Sequence, residues 1–76
     1  MTDKQIVQAA AQGRLTARRA VARASGPSFY RETWELDGKR LTGPAAGAVS
    51  RAHQNRTVVS SWGGVFGPGT VPVAAG

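Results

Sequence analysis

Asp37-Gly38 constrains this chain more than any other pair of neighbours. Between two β-compatible runs, Asp-Gly forms a two-residue type I′ turn, because both central positions need a positive φ that these residues tolerate. Counting outward through "SFYRETWELDGKRLTG" pairs Leu36 with Lys39, Glu35 with Arg40, Trp34 with Leu41 and Thr33 with Thr42. Trp34 and Leu41 then share one face, which Leu36 and Tyr30 join by alternation. The opposite-charge pair Glu35–Arg40 takes the other face with the threonines. Such a hairpin has an apolar side to bury, so the rest of the chain must supply a covering layer.

Ahead of the hairpin, Thr2 and Gln5 form a capping-box pattern, and Asp3 suits the positive end of a helix dipole. Good helix formers continue to Ser25, where Gly26-Pro27 supplies a stop. On a helical wheel Ile6, Ala10, Gly13, Ala17, Ala20 and Ala24 make one stripe with Val21 beside it. Gln5, Gln8, Gln12, Arg19 and Arg23 fall opposite. Leu15 alone lands on the polar side. The spacing predicts one long helix over residues 3–24, with Gly13 inside it at a cost of about 1 kcal/mol relative to Ala. The alternative is a pair of helices broken between these limits. Because the stripe is made of small residues, either the hairpin or a second subunit can approach it closely.

The stretch "AAAQGRLTARRAVARA" also partly resembles a helix-turn-helix motif. Ala9 and Gly13 sit at the motif's four-residue spacing, Leu15 and Thr16 resemble its turn, and Val21 matches the buried position of the second helix. The turn carries one extra residue, and the match covers about a fifth of the chain. The resemblance is to small, winged helix-turn-helix proteins. It implies nucleic acid as a partner, with the hairpin acting as a wing through Lys39 and Arg40.

After the hairpin, Pro44 suits the first position of a short helix that ends near Asn55, with Ala45, Val49 and Ala52 on one face and Ala48 beside them. "RTVVSSW" then reads as a third strand over residues 57–62, able to join the hairpin. The remainder, "GGVFGPGTVPVAAG", is rich in Gly and Pro and reads as an irregular tail. Two readings of it stay open: it lies across a neighbouring molecule, or Val71 and Val73 return beside strand three. The predicted class is therefore α+β, with a long N-terminal helix, a hairpin, a short helix, a third antiparallel strand and an irregular C-terminal tail. Residues 1–62 form the domain and 63–76 the tail.

Large apolar residues are few among the 76, alanine supplies much of the apolar count, and there is no cysteine to form a disulfide or a thiolate site. A core this thin often gains stability from a partner or from self-association. No stretch approaches a membrane span, and "MTDKQIVQAAAQ" lacks the apolar core of a signal peptide, which predicts a cytoplasmic protein or one delivered inside an assembled phage particle. The Ala, Gly, Arg and Val bias matches GC-rich coding, such as that of actinobacteria and their phages.

Catalytic patterns are missing. His53 is the single histidine, Ser60 and Ser61 have no base in sequence context, and "GGVFGPG" lacks the Lys-Ser/Thr of a phosphate loop. Glu32 and Glu35 have opposite strand parity and cannot form a carboxylate pair. The expectation is a non-enzymatic protein with no metal or cofactor.

The charge is more telling. Ten Lys and Arg against four Asp and Glu give +6, and residues 1–25 hold Lys4, Arg14, Arg18, Arg19 and Arg23 against Asp3 alone. Arg14 and Arg18, like Arg19 and Arg23, are four apart on the predicted helix, where like charges repel unless an anion answers them. This predicts phosphate contacts from Arg14, Arg18, Arg19 and Arg23, joined by Lys39 and Arg40 of the hairpin, and so an accessory or regulatory nucleic-acid-binding protein. The alternative is a phage or bacterial assembly component that docks on an acidic protein surface or a second copy. Its contacts would be Ala10, Gly13 and Ala17 of the stripe and Val65 and Phe66 of the tail.

Overall fold

A computed structural model describes residues 1–22, 29–65 and 67–76. In chain order the elements are α1 (Asp3–Ala11), β1 (Leu15–Ala22), β2 (Phe29–Leu36), β3 (Lys39–Arg40), α2 (Gly43–Gln54), β4 (Val58–Ser60) and β5 (Gly69–Ala75). The strands form one antiparallel sheet in the order β3-β2-β1-β5-β4, so the class is α+β as the sequence indicates.

The N-terminal helix is less than half its predicted length. It begins with the anticipated capping box: Gln5 N–H donates to Thr2 Oγ1 at 3.2 Å, and Thr2 N–H donates to Gln5 Oε1 at 2.9 Å. It ends in a Schellman motif, in which Gly13 N–H donates to the Ala10 carbonyl at 3.1 Å and Arg14 N–H to the Ala9 carbonyl at 3.0 Å. Gly13, at φ +71°, is thus the stop rather than an interior residue. Leu15, out of place on the helical wheel, opens a strand instead and is fully buried beside Ala17 in the same alternating set. Ala and Arg favour helix locally. Here β1 gains ladder hydrogen bonds on both sides, with β2 across Leu15–Ala22 and with β5 across Thr16–Arg19, and that pairing overrides propensity. The residues carrying the helix-turn-helix resemblance accordingly form α1, its terminal turn and β1. Arg23, the Gly26-Pro27 stop and Phe66 lie outside the described residues.

The hairpin register is as predicted near the turn: Glu35 pairs with Arg40 and Leu36 with Lys39, while Asp37 and Gly38 take φ values of 53° and 80°. Leu41 N–H donates to the Trp34 carbonyl at 2.8 Å. Pairing stops there, because Thr42 becomes the N-cap of α2 with Pro44 in its first turn. At its far end α2 closes in a second Schellman motif, Arg56 N–H to the His53 carbonyl and Thr57 N–H to the Ala52 carbonyl, with Arg56 at φ 60°.

The third predicted strand is β4, and it does not join the hairpin. It pairs with β5 at the opposite edge of the sheet. The segment predicted as an irregular tail supplies β5, whose first half pairs with β1 and whose second half pairs with β4. Pro72 fits this staggered arrangement. Its carbonyl accepts from Ser61 N–H at 3.2 Å, but it has no N–H to return, so the ladder runs out just past Ser60. Of the two open readings for this segment, the return beside strand three is the one the fold adopts.

Both helices cover the sheet face that carries Leu15, Ala17, Trp34, Val58, Val71 and Val73. Ile6, Ala9 and Ala10 of α1 and Ala48, Val49 and Ala52 of α2 complete a wholly apolar core. Five of these twelve buried residues are alanine, which brings helix and strand backbones close together but limits the area each residue removes from water.

Candidate nucleic-acid interface

The predicted arginines do not share one helical face; the strand alternation of β1 divides them. Odd-numbered residues of β1 face the helices, and even-numbered ones face the other side of the sheet, which is bare of any described helix or strand. Thr16, Arg18 and Ala20 thereby join Arg31, Thr33 and Glu35 of β2 and Arg40 of β3 on the uncovered face. Arg18, Ala20, Arg31, Thr33, Glu35 and Arg40 line a shallow depression of about 240 Å³. Among these described residues one carboxylate answers three guanidinium groups. Arg18 Nη1 stands 3.8 Å from Glu35 Oε2, and 60% of the Arg18 side chain remains exposed. A pair this long and this wet contributes little to stability.

Arg14 is differently placed. Its Nε donates to Asp37 Oδ1 at 2.9 Å and its Nη2 to Asp37 Oδ2 at 2.7 Å, a bidentate fork, while Asp37 N–H donates to the Arg14 carbonyl at 2.9 Å. The two turns that flank the sheet, after α1 and after β2, are clamped together by this residue. The fork holds the Asp37 carboxyl below the ordinary carboxylate range and raises the pKa of the Arg14 guanidinium, in each case chiefly through the side-chain hydrogen bond.

Arg19 lies on the helix-covered side. Its guanidinium carbon sits 4.0 Å from the centre of the Trp62 ring, and Trp62 Nε1 donates to Glu32 Oε1 at 3.0 Å. Glu32 is the cross-strand partner of Arg19, so cation, indole and carboxylate make one packed group. Lys39 and Arg40 are both exposed on the short edge strand, on opposite faces. Of the predicted phosphate contacts, Arg18 and Arg40 meet on the bare face; Arg14 and Arg19 are engaged elsewhere.

Arg31 belongs to this face and is not among the residues predicted to meet phosphate. Its signal lies in the hairpin register, since Arg31 has the strand parity of Glu35. The predicted protein-docking stripe is not formed as a surface: Ala10 and Ala17 are buried in the protein's own core, Gly13 sits in the turn, and Val65 packs half-buried against that core.

His53 and Ser60, unrelated in sequence, come together across α2 and β4, with His53 Nε2 and Ser60 Oγ 3.1 Å apart. The His53 ring also packs at 5.1 Å on Trp34, tilted by 53°. Each half-buried polar group thus answers the other's hydrogen-bonding need. Among the described residues no three His, Cys, Asp or Glu side chains cluster as metal ligands, and no helix is long and apolar enough to cross a membrane. No family model, characterised protein or solved structure is detectably similar to this chain.

Proposed function

We propose that this protein is a small nucleic-acid-binding accessory protein that contacts phosphates through the bare face of its sheet. The observation that carries this reading is the convergence of Arg18, Arg31 and Arg40 from three adjacent strands around the carboxylate of Glu35. The neighbours closest to the arginines on that face are small or short, Thr16, Ala20, Thr33, Thr70 and Pro72, and the larger Val59 lies two strands away from β1, beside Ala74. Among the described residues nothing bulky stands beside the guanidinium groups where a phosphodiester backbone would approach. Contacts of this kind position a protein on nucleic acid without reading its sequence, and a net charge of +6 favours the encounter.

The test is anisotropy of a short labelled duplex across a salt series. Changing Arg18, Arg31 and Arg40 together to Gln should weaken binding and flatten the salt dependence by about 0.9 in log–log slope for each phosphate no longer neutralised. Arg14→Gln should leave that slope unchanged, because Arg14 is held by Asp37. Absence of binding by the unmodified protein at ~50 mM salt, where non-specific affinity is strongest, would sink the reading.

A further inference from the structure

β2 has a free edge. Its even-numbered residues turn their backbone groups toward β3, as the Leu36–Lys39 pair and the Leu41-to-Trp34 hydrogen bond show. β3 is only two residues long, and the chain departs into α2 at Thr42. The next outward-turned backbone groups, those of Glu32 and Tyr30, therefore have no strand beyond them among the described residues. Beside this edge runs a groove of about 450 Å³. Its far wall is the small-residue side of α2, Gly43, Ala46, Gly47 and Ser50, and Arg31 and Arg40 stand along it.

We infer that this groove accepts an extended acidic segment of a partner protein as an added strand beside β2. The exposed ladder supplies main-chain hydrogen bonds, and the small residues of α2 leave room for every second side chain of the incoming strand. Charge selects the occupant. Self-pairing through both edge residues, Tyr30 against Glu32 in each direction, would set Arg31 directly opposite its counterpart in the second copy. Like charges so placed destabilise a pair of strands and are a common guard against edge-to-edge association. An acidic strand instead meets Arg31 and Arg40. The carboxylate in the groove wall, that of Glu32, is already engaged by the Trp62 indole.

The experiment titrates the isotope-labelled protein with a blocked hexapeptide of alternating Glu and Val, and with its Lys–Val counterpart. The acidic peptide should slow exchange of the Tyr30 and Glu32 amides, and the basic one should not. Gly47→Leu should weaken binding at least about tenfold by filling the groove. A Cβ at Gly47 meets only Arg51 Nη1 at 3.5 Å, and Leu is the better helix former, so the melting temperature should hold or rise. Arg31→Glu with Arg40→Glu should weaken the acidic peptide about tenfold and admit the basic one. The inference is overturned by any of three results: no binding of the acidic peptide at about 1 mM, equal binding to Gly47→Leu, or protection of the two amides by a short oligonucleotide but not by the peptide.

Discussion

The two ends of the β1–β2 pair share one backbone ladder and differ in the described side chains packed against it. At the end near the Asp37-Gly38 turn, Leu15, Ala17 and Trp34 lie beneath the helices and are almost wholly removed from water. At the other end β1 has no β5 partner past Arg19, Val21 is 49% exposed, and the side chains that meet are Arg19, Glu32 and Trp62. Among the described side chains, hydrophobic burial holds the first end, and a cation–π contact with a hydrogen-bonded carboxylate stands at the second. The first kind of contact scales with area and decides whether the domain folds. The second is worth about 0.5–1 kcal/mol at exposed sites and decides how an arm is set. Arg18 and Arg31 of the basic face thus stand on the stretch of the pair where the described contacts pass from the first kind to the second.

The most severe way to break this division is to remove residues 68–76. Loss of β5 deletes Val71 and Val73 from the core and leaves β4 without a partner, so the truncated chain should show no cooperative thermal transition by circular dichroism. A melt like that of the full chain would mean the covered end does not depend on β5.

Next in size is Ile6→Ala, at a fully buried position where the loss should be about 2–5 kcal/mol, a large share of the stability of so small a domain. Urea titration should show the whole transition moving to lower denaturant with its slope kept.

Arg19→Gln should act on the other end only. Exchange of the Ala20 and Arg31 amides, which face each other across the ladder, should quicken, while that of Ala17 keeps its protection, for a cost of about 0.5–1 kcal/mol. Uniform loss of protection along β1 would erase the distinction between the two ends.

The smallest effect concerns the clamp between turns. The Asp37 carboxyl, lowered by its hydrogen bonds from Arg14, contributes stability that is present above the ordinary carboxylate pKa and lost as pH falls through its own lower value. Asp37→Asn should therefore be less stable than the wild type near neutral pH and equal to it in strong acid. A gap in urea midpoint that persists unchanged into acid would show that the charge of Asp37 is not what holds Arg14.

Legibility followed distance along the chain. The Thr2–Gln5 capping box, the Asp37-Gly38 turn with its register, and the Pro44 helix entry each rest on residues a few positions apart, and each stands where the sequence puts it. The bare basic face is half legible: Arg40 and Arg31 follow from the hairpin register, whereas Arg18 reaches it only because residues 15–22 are a strand. A helical wheel sets Arg18 beside Arg14, yet in the fold the two serve different ends of the molecule.

What the sequence determined by itself, then, were the features whose free energy is local: caps, a turn and the parity of a strand next to that turn. The tertiary structure alone decided that the Ala- and Arg-rich segment after Gly13 is a strand and that the Gly- and Pro-rich end of the chain is its neighbour. Neither choice is favoured by the segment's own propensity. Each supports the other, because β5 completes the second side of the β1 ladder and the two together present Leu15, Ala17, Val71 and Val73 to the helices.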